Sequence, residues 1–447
     1  MEVIAAIATA AAPSAIGVIR LSGEGAAAVA GRVFTPAGGA PLTAQPPRQM
    51  VYGAMADEKG RTVDRGMAVW FAAGHSYTGE ESAELYCHGS PVAMGEVLRA
   101  LFAAGARQAL PGEFTRRAFL NGRMDLTAAE AVMDLIDAET PEAARVAAAQ
   151  TGGALGRTAG AIYDALLDLS ARFAAVVDYP DEDIEDVHPD EITAVLSDAE
   201  GRLAALADSC RRGDVLRRGV KTVLLGRPNA GKSSLLNALA GWDRVIVTDR
   251  PGTTRDTVEE LVRLGDVTLR LTDTAGIRDS GDEVEAMGVA RSLRTAAEAE
   301  LALLVLDGSA PWNEEDEAAL AAARAARRLL VLRGKADLPP NEALAARFPE
   351  AISLSARTGA GLEDLRRAVE ALFPDGEAAV TLMNPRQEEA VRRALAGVRR
   401  ARQALVLTPD AALTDVEAAM AALGELLGRT PKEDIVEQVF ARFCVGK

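Results

Sequence analysis

The chain has 447 residues, 49% of them hydrophobic and 26% charged, with a formal net charge of −16. That length suits about three domains of ordinary size, and the composition is that of a globular protein with ample core. So acidic a balance argues against a chain that serves as the main electrostatic platform for a nucleic acid, which usually needs a basic face.

No run of ~18 apolar residues and no basic stretch ahead of an apolar one occurs, so neither a membrane span nor a signal peptide is expected. Cys87, Cys210 and Cys444 are widely spaced and form no C-x-x-C. A disulfide framework or zinc site is therefore not expected, and a reducing cytoplasm fits. Of the 49 basic residues, 43 are Arg and six are Lys. In a chain with so strong a preference for Arg, retained lysines point to places where a compact ammonium is needed. Lys232, Lys335 and Lys447 all fall in motifs.

Taken in order, residues 1–119 mix short β-type runs, such as "AIGVIRLSG" and "GMAVWFAAG", with many Gly and Pro breaks. From Leu126 the pattern becomes Ala-rich helix. Thr127 and Glu130 have the spacing of a capping box, and "TPEAA" from Thr140 places Pro at a first helical position. Helical periodicity runs on to about Val177, within a segment bounded as 120–215. The stretch "DYPDEDIEDVHPDEI" lacks the turn glycine and ligand spacing of a calcium loop and reads as a solvated acidic connection. Over 216–376 strand and helix patterns alternate. "KTVLLG", "VTLRLTDTAG", "ELALLVLDGS", "RLLVLRGKADL" and "AISLSARTG" are apolar strands that each end where polar motif residues begin. That is the pattern of a parallel sheet with its ligands at the carboxyl ends of the strands. Asn384-Pro385 opens a second helical run, residues 377–447. The expected class is therefore multidomain, α/β with α+β: a mixed N-terminal domain, a helical domain made from two segments, and an inserted P-loop domain.

The nucleotide motifs carry the chemistry. "GRPNAGKS", Gly226 to Ser233, follows a strand and precedes the helix "SLLNALAG". Its glycines let backbone N–H groups of Asn229, Ala230, Gly231, Lys232, Ser233 and Ser234 wrap phosphates, with Lys232 reaching the β- and γ-phosphates and Ser233 ligating Mg²⁺. Then comes the loop Thr248, Asp249, Arg250, Pro251, Gly252, Thr253 and Thr254, in which Thr254 closes over Mg²⁺ and the γ-phosphate. Asp273, Thr274, Ala275 and Gly276 form the D-x-x-G element. Lys335 and Asp337 lie in "GKAD", followed by Ser355, Ala356 and Arg357 in "SAR". Asp337 can accept from N1–H and the 2-amino group of guanine, a pairing adenine cannot offer. These motifs predict a GTP site. Two departures stand out. Ile277 follows the D-x-x-G glycine where many such enzymes place a water-orienting Gln. Gly334 occupies the Asn position of the usual N-K-x-D, which either weakens nucleotide binding with guanine preference kept or is harmless drift.

"SYTGEESAELYCHGSP" from Ser76, "PGEFTRRAFLNGRMDLTAAEA" from Pro111, the closing "FCVGK", and a GTPase unit inserted between helical segments give the whole length a specific resemblance to the bacterial tRNA-modification GTPase family MnmE, also called TrmE. The resemblance implies activation by K⁺ when two GTPase domains meet. Asn229 with loop groups of Thr248, Arg250 and Thr253 would hold the cation, which does the charge-stabilising work of an arginine finger. It also implies that Glu285 positions the attacking water through a bridging water; the residue alone reads as a surface helix position. Residues 1–119 resemble the family's tetrahydrofolate-binding and dimerisation domain, whose matching positions are Arg20, Glu84 and Arg123. Unaided, Arg20 and Glu84 read as a structural ion pair. The tail "FCVGK" is placed by the resemblance beside that domain, with Cys444 near the one-carbon unit and Lys447 interacting with the folate or its surroundings. Packed burial is the ordinary reading of a free cysteine, and Gly446 and Lys447 disqualify a prenylation box.

The function expected from all this is a cytoplasmic, homodimeric GTPase. With an FAD-dependent partner (MnmG/GidA-like, in a heterotetramer) it installs an aminomethyl-type group on C5 of the wobble uridine of certain tRNAs. A 5-formyl- or 5,10-methylene-type tetrahydrofolate supplies the one-carbon unit, and tRNA is engaged through the complex, with no membrane. A ribosome-assembly GTPase would share the P-loop but brings a basic RNA-binding module absent here. A GTP-switched scaffold without catalysis is the rival from another class.

Overall fold

The computed structural model describes residues 2–10, 12–178, 189–242, 259–265, 267–273, 295–373, 380–405, 409–429, 439–440 and 443–446. The chain divides into two compact units. One comprises Met1–Met133, Gln150–Gly201 and Glu389–Lys447, the other Asp134–Ala149 and Arg202–Glu388.

The first unit holds a seven-stranded sheet of β1 (Ile4–Ile7), β2 (Ser14–Ser22), β3 (Phe34–Pro36), β4 (Val51–Ala56), β5 (Thr62–Phe71), β6 (Ser82–Gly89) and β7 (Arg107–Gln108). Their order is β3-β4-β5-β6-β2-β1-β7, antiparallel except for the β1–β7 pair. Period-two alternation sorts the faces. Ile19, Leu21 and Leu85 point into a core with Met55, Phe34, Met94 and Leu101, whereas Arg20 and Glu84 stand on the other face. Helices Ala26–Val33 and Pro91–Ala103 contribute Ala30 and Val97 to that core.

Helix Glu113–Leu120 is fixed by charge as well as by packing. Gly112 precedes it at φ 67°, a backbone conformation that favours glycine, and a Cβ there would meet Phe440 O at 2.6 Å. Glu113 accepts from the Leu110 N–H at 2.8 Å and pairs with Arg107 and Arg117, while Arg117 also reaches Glu80 at 3.0 Å. Burial alone would raise the Glu113 carboxyl, but Arg107, the Leu110 N–H and Arg117 together hold it down at about 2.

The helix from Leu126 to Ile136 starts as expected, but its cap is not Thr127. Asp125 takes that role, its carboxylate accepting from the Ala128 N–H at 2.9 Å and from the Thr127 hydroxyl at 2.6 Å. Thr127 is the second residue of the helix and fully buried, so its hydroxyl needs an internal acceptor and it cannot serve as the cap. Thr140 does cap helix Pro141–Thr151, accepting from Ala143 N–H at 2.9 Å. Helix Ala154–Asp178 packs against Pro409–Leu427. Asn384 starts helix Pro385–Ala404 by accepting from the Gln387 N–H at 3.0 Å.

The second unit holds β8 (Val220–Leu225), β9 (Glu259–Leu264), β10 (Val267–Asp273), β11 (Leu301–Asp307), β12 (Arg328–Gly334) and β13 (Ile352–Ser353), in the order β13-β12-β11-β8-β10-β9. Every pairing is parallel except that of β9, an edge strand not anticipated from sequence. Both faces are covered, so the central strand β11 reads as an unbroken apolar run rather than an alternating one. Leu301, Leu303 and Val305 meet Leu235, Leu239 and Leu365 on one side; Leu304 and Leu306 meet Leu320 and Leu344 on the other.

Candidate functional site

The strand order reverses at β8, whose neighbours β10 and β11 follow later in the chain, and ligands of open α/β sheets bind at such a point. The phosphate loop leaves β8 there. Gly226 has φ 148°, and a Cβ on it would meet Val305 O at 2.2 Å, so the close pass under β11 requires glycine. Asn229 adopts φ 61°, a left-handed conformation that Asn tolerates better than most side chains. Lys232 Nζ donates back across the loop to Gly226 O at 2.6 Å and Arg227 O at 2.8 Å. Helix Lys232–Trp242 starts in the loop, so its first N–H groups and the exposed Ser233 and Ser234 gather at one mouth. Backbone donors at a helix N-terminus with a lysine folded over them form an anion cradle.

The motifs expected to recognise a base lie past β12. Lys335 sits at φ 59° and its Nζ donates to Asp307 Oδ2 at 2.7 Å. Burial alone would raise Asp307, but Lys335 and Ser309 keep it below the usual carboxylate range. Asp337 is held below that range chiefly by the Ser355 hydroxyl, which donates to Oδ1 at 2.6 Å, and by Arg357 at 2.9 Å from Oδ2. The "GKAD" and "SAR" motifs are thus joined through Asp337, which stays ionised as an acceptor for an N–H-rich edge. Ala356 lies between the two residues that hold it. A Cβ on Gly334 would stand 3.4 Å from both Ala230 O and Leu306 O, ordinary contact with a phosphate-loop carbonyl among its neighbours. The glycine is not demanded by space.

Thr248, Asp249, Arg250, Pro251, Gly252, Thr253, Thr254, Thr274, Ala275, Gly276, Glu285 and Lys447 lie outside the described residues. The Asp273 backbone ends β10, parallel to β8 with Asp273 opposite Leu224, so this residue stands at the edge of the sheet from which the phosphate loop leaves.

In the first unit Arg20 and Glu84 are direct cross-strand partners on β2 and β6 and form an ion pair at 2.8 Å. Glu84 also accepts from the Tyr86 hydroxyl at 2.5 Å. Burial first, and then that bond to a carboxylate, push the Tyr86 phenol up to about 12. The Arg20 guanidinium lies 5.6 Å from the Tyr77 ring centre and 5.9 Å from that of Phe114. Arg123 packs its stem on Gly79 and donates to Gly74 O at 3.4 Å, on the loop that carries Tyr77. The tail reaches the same sheet: Gly112 N–H donates to Cys444 O at 3.4 Å, and Gly446 lies against Ile7 O. Cys444 itself is exposed, against the ordinary expectation of burial. Arg20 and Arg123 are thus linked through the loop that carries Tyr77, and the tail meets the neighbouring strand β1. Tyr77 and Tyr86 add partly exposed aromatic surface beside Glu84 and Arg20, whereas Phe114 is fully buried. Sequence reasoning passed over those three, although "SYTGEESAELYC" displays two of them.

A six-stranded, largely parallel sheet with a phosphate loop at its switch point and an ionised, buttressed Asp337 at its base end defines a P-loop guanine-nucleotide-binding protein. A family model described as "MnmE helical domain" matches residues 126–444, and one described as "GTP-binding protein TrmE N-terminus" matches residues 3–123. The tRNA modification GTPase MnmE of Synechococcus sp. (strain JA-3-3Ab) is 42% identical over 457 residues, 100% of this chain and 98% of that protein. Those of Symbiobacterium thermophilum and Chloroflexus aurantiacus are also 42% identical across 100% of this chain, and 99% and 100% of their own lengths. Among solved structures, the G domain of T. maritima FeoB is 28% identical and matches 34% of this chain and 98% of its own, but its TM-score of 0.26 adds nothing to the topology above. The chain belongs to the MnmE family of tRNA modification GTPases.

Proposed function

We propose that this chain hydrolyses GTP in the modification of tRNA and that, with an FAD-dependent partner, it acts at C5 of the wobble uridine with a folate one-carbon donor. The observation that carries the reading is the pairing, within one chain similar over its full length to these GTPases, of a guanine-nucleotide site with a second, chemically different site on the antiparallel sheet. The segments 1–119, 120–215, 216–376 and 377–447 are its folate-binding, helical, GTPase and returning helical parts.

In the GTPase part, Lys232 and the loop N–H groups bind the β- and γ-phosphates. The Ser233 hydroxyl, a hard oxygen at the mouth of the cradle, suits Mg²⁺, with Thr254 as its second protein ligand. Asp337 reads guanine. Ile277 cannot orient water, so Glu285 takes that role, and K⁺ held by Asn229 with Thr248, Arg250 and Thr253 offsets charge developing between the phosphates. Two such domains from a homodimer meet to complete the site.

In the N-terminal part, Arg20 and Glu84 present a donor fork and an acceptor side by side, a match for the amide-like edge of a pterin. Arg123 suits a folate carboxylate. Tyr77, part of whose ring is exposed beside Arg20, offers a face for a flat ring. Cys444, exposed on a tail tied to this sheet, lies near the one-carbon unit, and Lys447 follows it.

The test has two arms on the full chain. GTP turnover should rise in potassium over sodium at equal ionic strength, a difference that Asn229→Ala abolishes. 5-Formyltetrahydrofolate should bind the wild type and bind far more weakly to Arg20→Ala. Equal turnover in the two salts removes the cation assignment, and unchanged folate binding by Arg20→Ala removes the pterin site.

A further inference from the structure

The net charge of −16 hides one basic surface. Helix Pro385–Ala404 carries six arginines against two glutamates. Its buried side, with Val391, Ala394, Val398 and Ala401, packs into the fold. Gly397 permits a close approach to helix Pro409–Leu427, since a Cβ there would lie 3.0 Å from Ala419 Cβ and Asp415 O. The opposite side is an exposed stripe of Arg392, Ala396, Arg399, Arg400 and Gln403 at i, i+4, i+7, i+8 and i+11. With the buried Leu395 these residues line a concavity of 330 Å³.

Carboxylates surround this stripe, but they sit behind it. Glu200 pairs with both Arg399 and Arg402, Asp415 with Arg400, and Glu425 with Arg393. The acids are 14–24% exposed in their side chains, the four arginines 46–55%. Each guanidinium has five N–H donors, and one carboxylate engages at most two. The acids therefore hold the guanidinium planes in place and leave outward-facing donors. Glu389, 3.8 Å from Arg393, is the one acid in this set on the helix's own exposed side.

We infer that this stripe is a contact surface for the phosphodiester backbone of a folded RNA, which under the proposed function is the tRNA. Arg392 and Arg399 are seven residues apart, ~10 Å along the helix axis, so the donors are spread in a line rather than converging on one small anion. Planar, preorganised guanidiniums match phosphate oxygens bidentately. A protein partner is the poorer fit, because the stripe exposes only Ala396 as apolar surface and has no aromatic anchor. In so acidic a chain, a local cationic stripe also orients RNA that the rest of the surface repels.

The test uses the full-length protein and unmodified tRNA, with affinity measured across a salt series. Arg392→Gln combined with Arg399→Gln should weaken binding at least tenfold at low salt and flatten the dependence of log K on log salt by roughly one to two. GTP hydrolysis without tRNA should stay at the wild-type level. Gln403→Glu, which alters none of the ion pairs described, should weaken binding in the same direction, and Arg392→Lys with Arg399→Lys should retain most of the salt dependence. Wild-type affinity and slope in the Gln and Glu variants overturn the inference, as does loss of binding to the FAD-dependent partner with tRNA affinity intact. The proposed function fails separately, and takes this surface with it, if tRNA from cells lacking the gene is normally modified.

Discussion

The two sheets solve the problem of building a site in opposite ways. The parallel sheet uses side chains to fill both faces and carries its candidate ligand groups, such as Lys232 and Asp337, on loops beyond the strand ends. The antiparallel sheet packs one face into its main core and covers part of the other with Phe114 over Ile4 and Ala6. Its candidate site stands on the strands of that second face, with Arg20 opposite Glu84 and Tyr86 two residues along. The first kind of site is made of contiguous motifs. The second is assembled from residues as far apart as Arg20 and Cys444, held by the ion-pair network around Arg117.

If that contrast is right, breaking the network should damage the antiparallel unit most. Arg117 is 5% exposed and pairs with two carboxylates, so Arg117→Ala should cost about 3–5 kcal/mol. Denaturant unfolding followed in the full chain measures this, and a loss below about 1 kcal/mol would show that the network is dispensable.

The loop-built site should instead lose chemistry while keeping its fold. Glu285→Ala should retain GTP binding and lose hydrolysis by ~10²-fold or more, the usual scale for a group that positions a reactant proton. Single-turnover hydrolysis with nucleotide binding measured in parallel separates the two, and near-wild-type turnover would return Glu285 to the helix surface.

Acid should find the antiparallel unit through Glu113. Its folded-state carboxyl lies at about 2, below the 4.5 of an ordinary glutamate, so the stabilisation is fully present above pH ~4.5 and is lost as pH falls toward 2. Melting temperature measured down this range should decline less steeply in Glu113→Gln, starting from a lower plateau. Parallel curves for the two proteins would exclude Glu113 as a source of the acid sensitivity.

The smallest change concerns the base end. Gly334 has room for a Cβ, and an Asn amide there would face Ala230 O of the phosphate loop. Gly334→Asn should tighten GDP by about 1 kcal/mol, one neutral hydrogen bond. Unchanged affinity in a calorimetric titration would mean that Lys335 and Asp307 already supply the tie.

The same contrast explains what could be read from sequence. The alternating α/β pattern, the unbroken apolar β11 and the P-loop are local, and local spacing carries them. Strand β9 escaped because "EELVRL" is short and mixes three charged residues with three apolar ones, although Val262 and Leu264 do reach the core. Thr127 was misread because capping-box spacing is satisfied by a residue that in fact packs inside the first turn, two residues after the real cap, Asp125. At the N-terminal site, Arg20 and Glu84 are 64 residues apart; unaided they read as a structural ion pair, and only the resemblance suggested a ligand for them, since their register across β2 and β6 is a tertiary fact. Tyr77 and Phe114 were invisible for the same reason, being ordinary aromatics until the fold sets them beside Arg20.

The central claim is that the loop-built and the strand-built sites serve one reaction on tRNA. It is tested most directly by nucleoside analysis of tRNA from cells that lack this gene and are complemented either with the wild type or with Cys444→Ser, whose GTP hydrolysis is measured alongside. The account predicts that the modified wobble uridine disappears on deletion and returns with the wild type. With Cys444→Ser it should stay strongly reduced while GTP turnover remains close to normal. Normal modification in the deletion strain would contradict the function, and full restoration by Cys444→Ser would remove that exposed cysteine from the reaction.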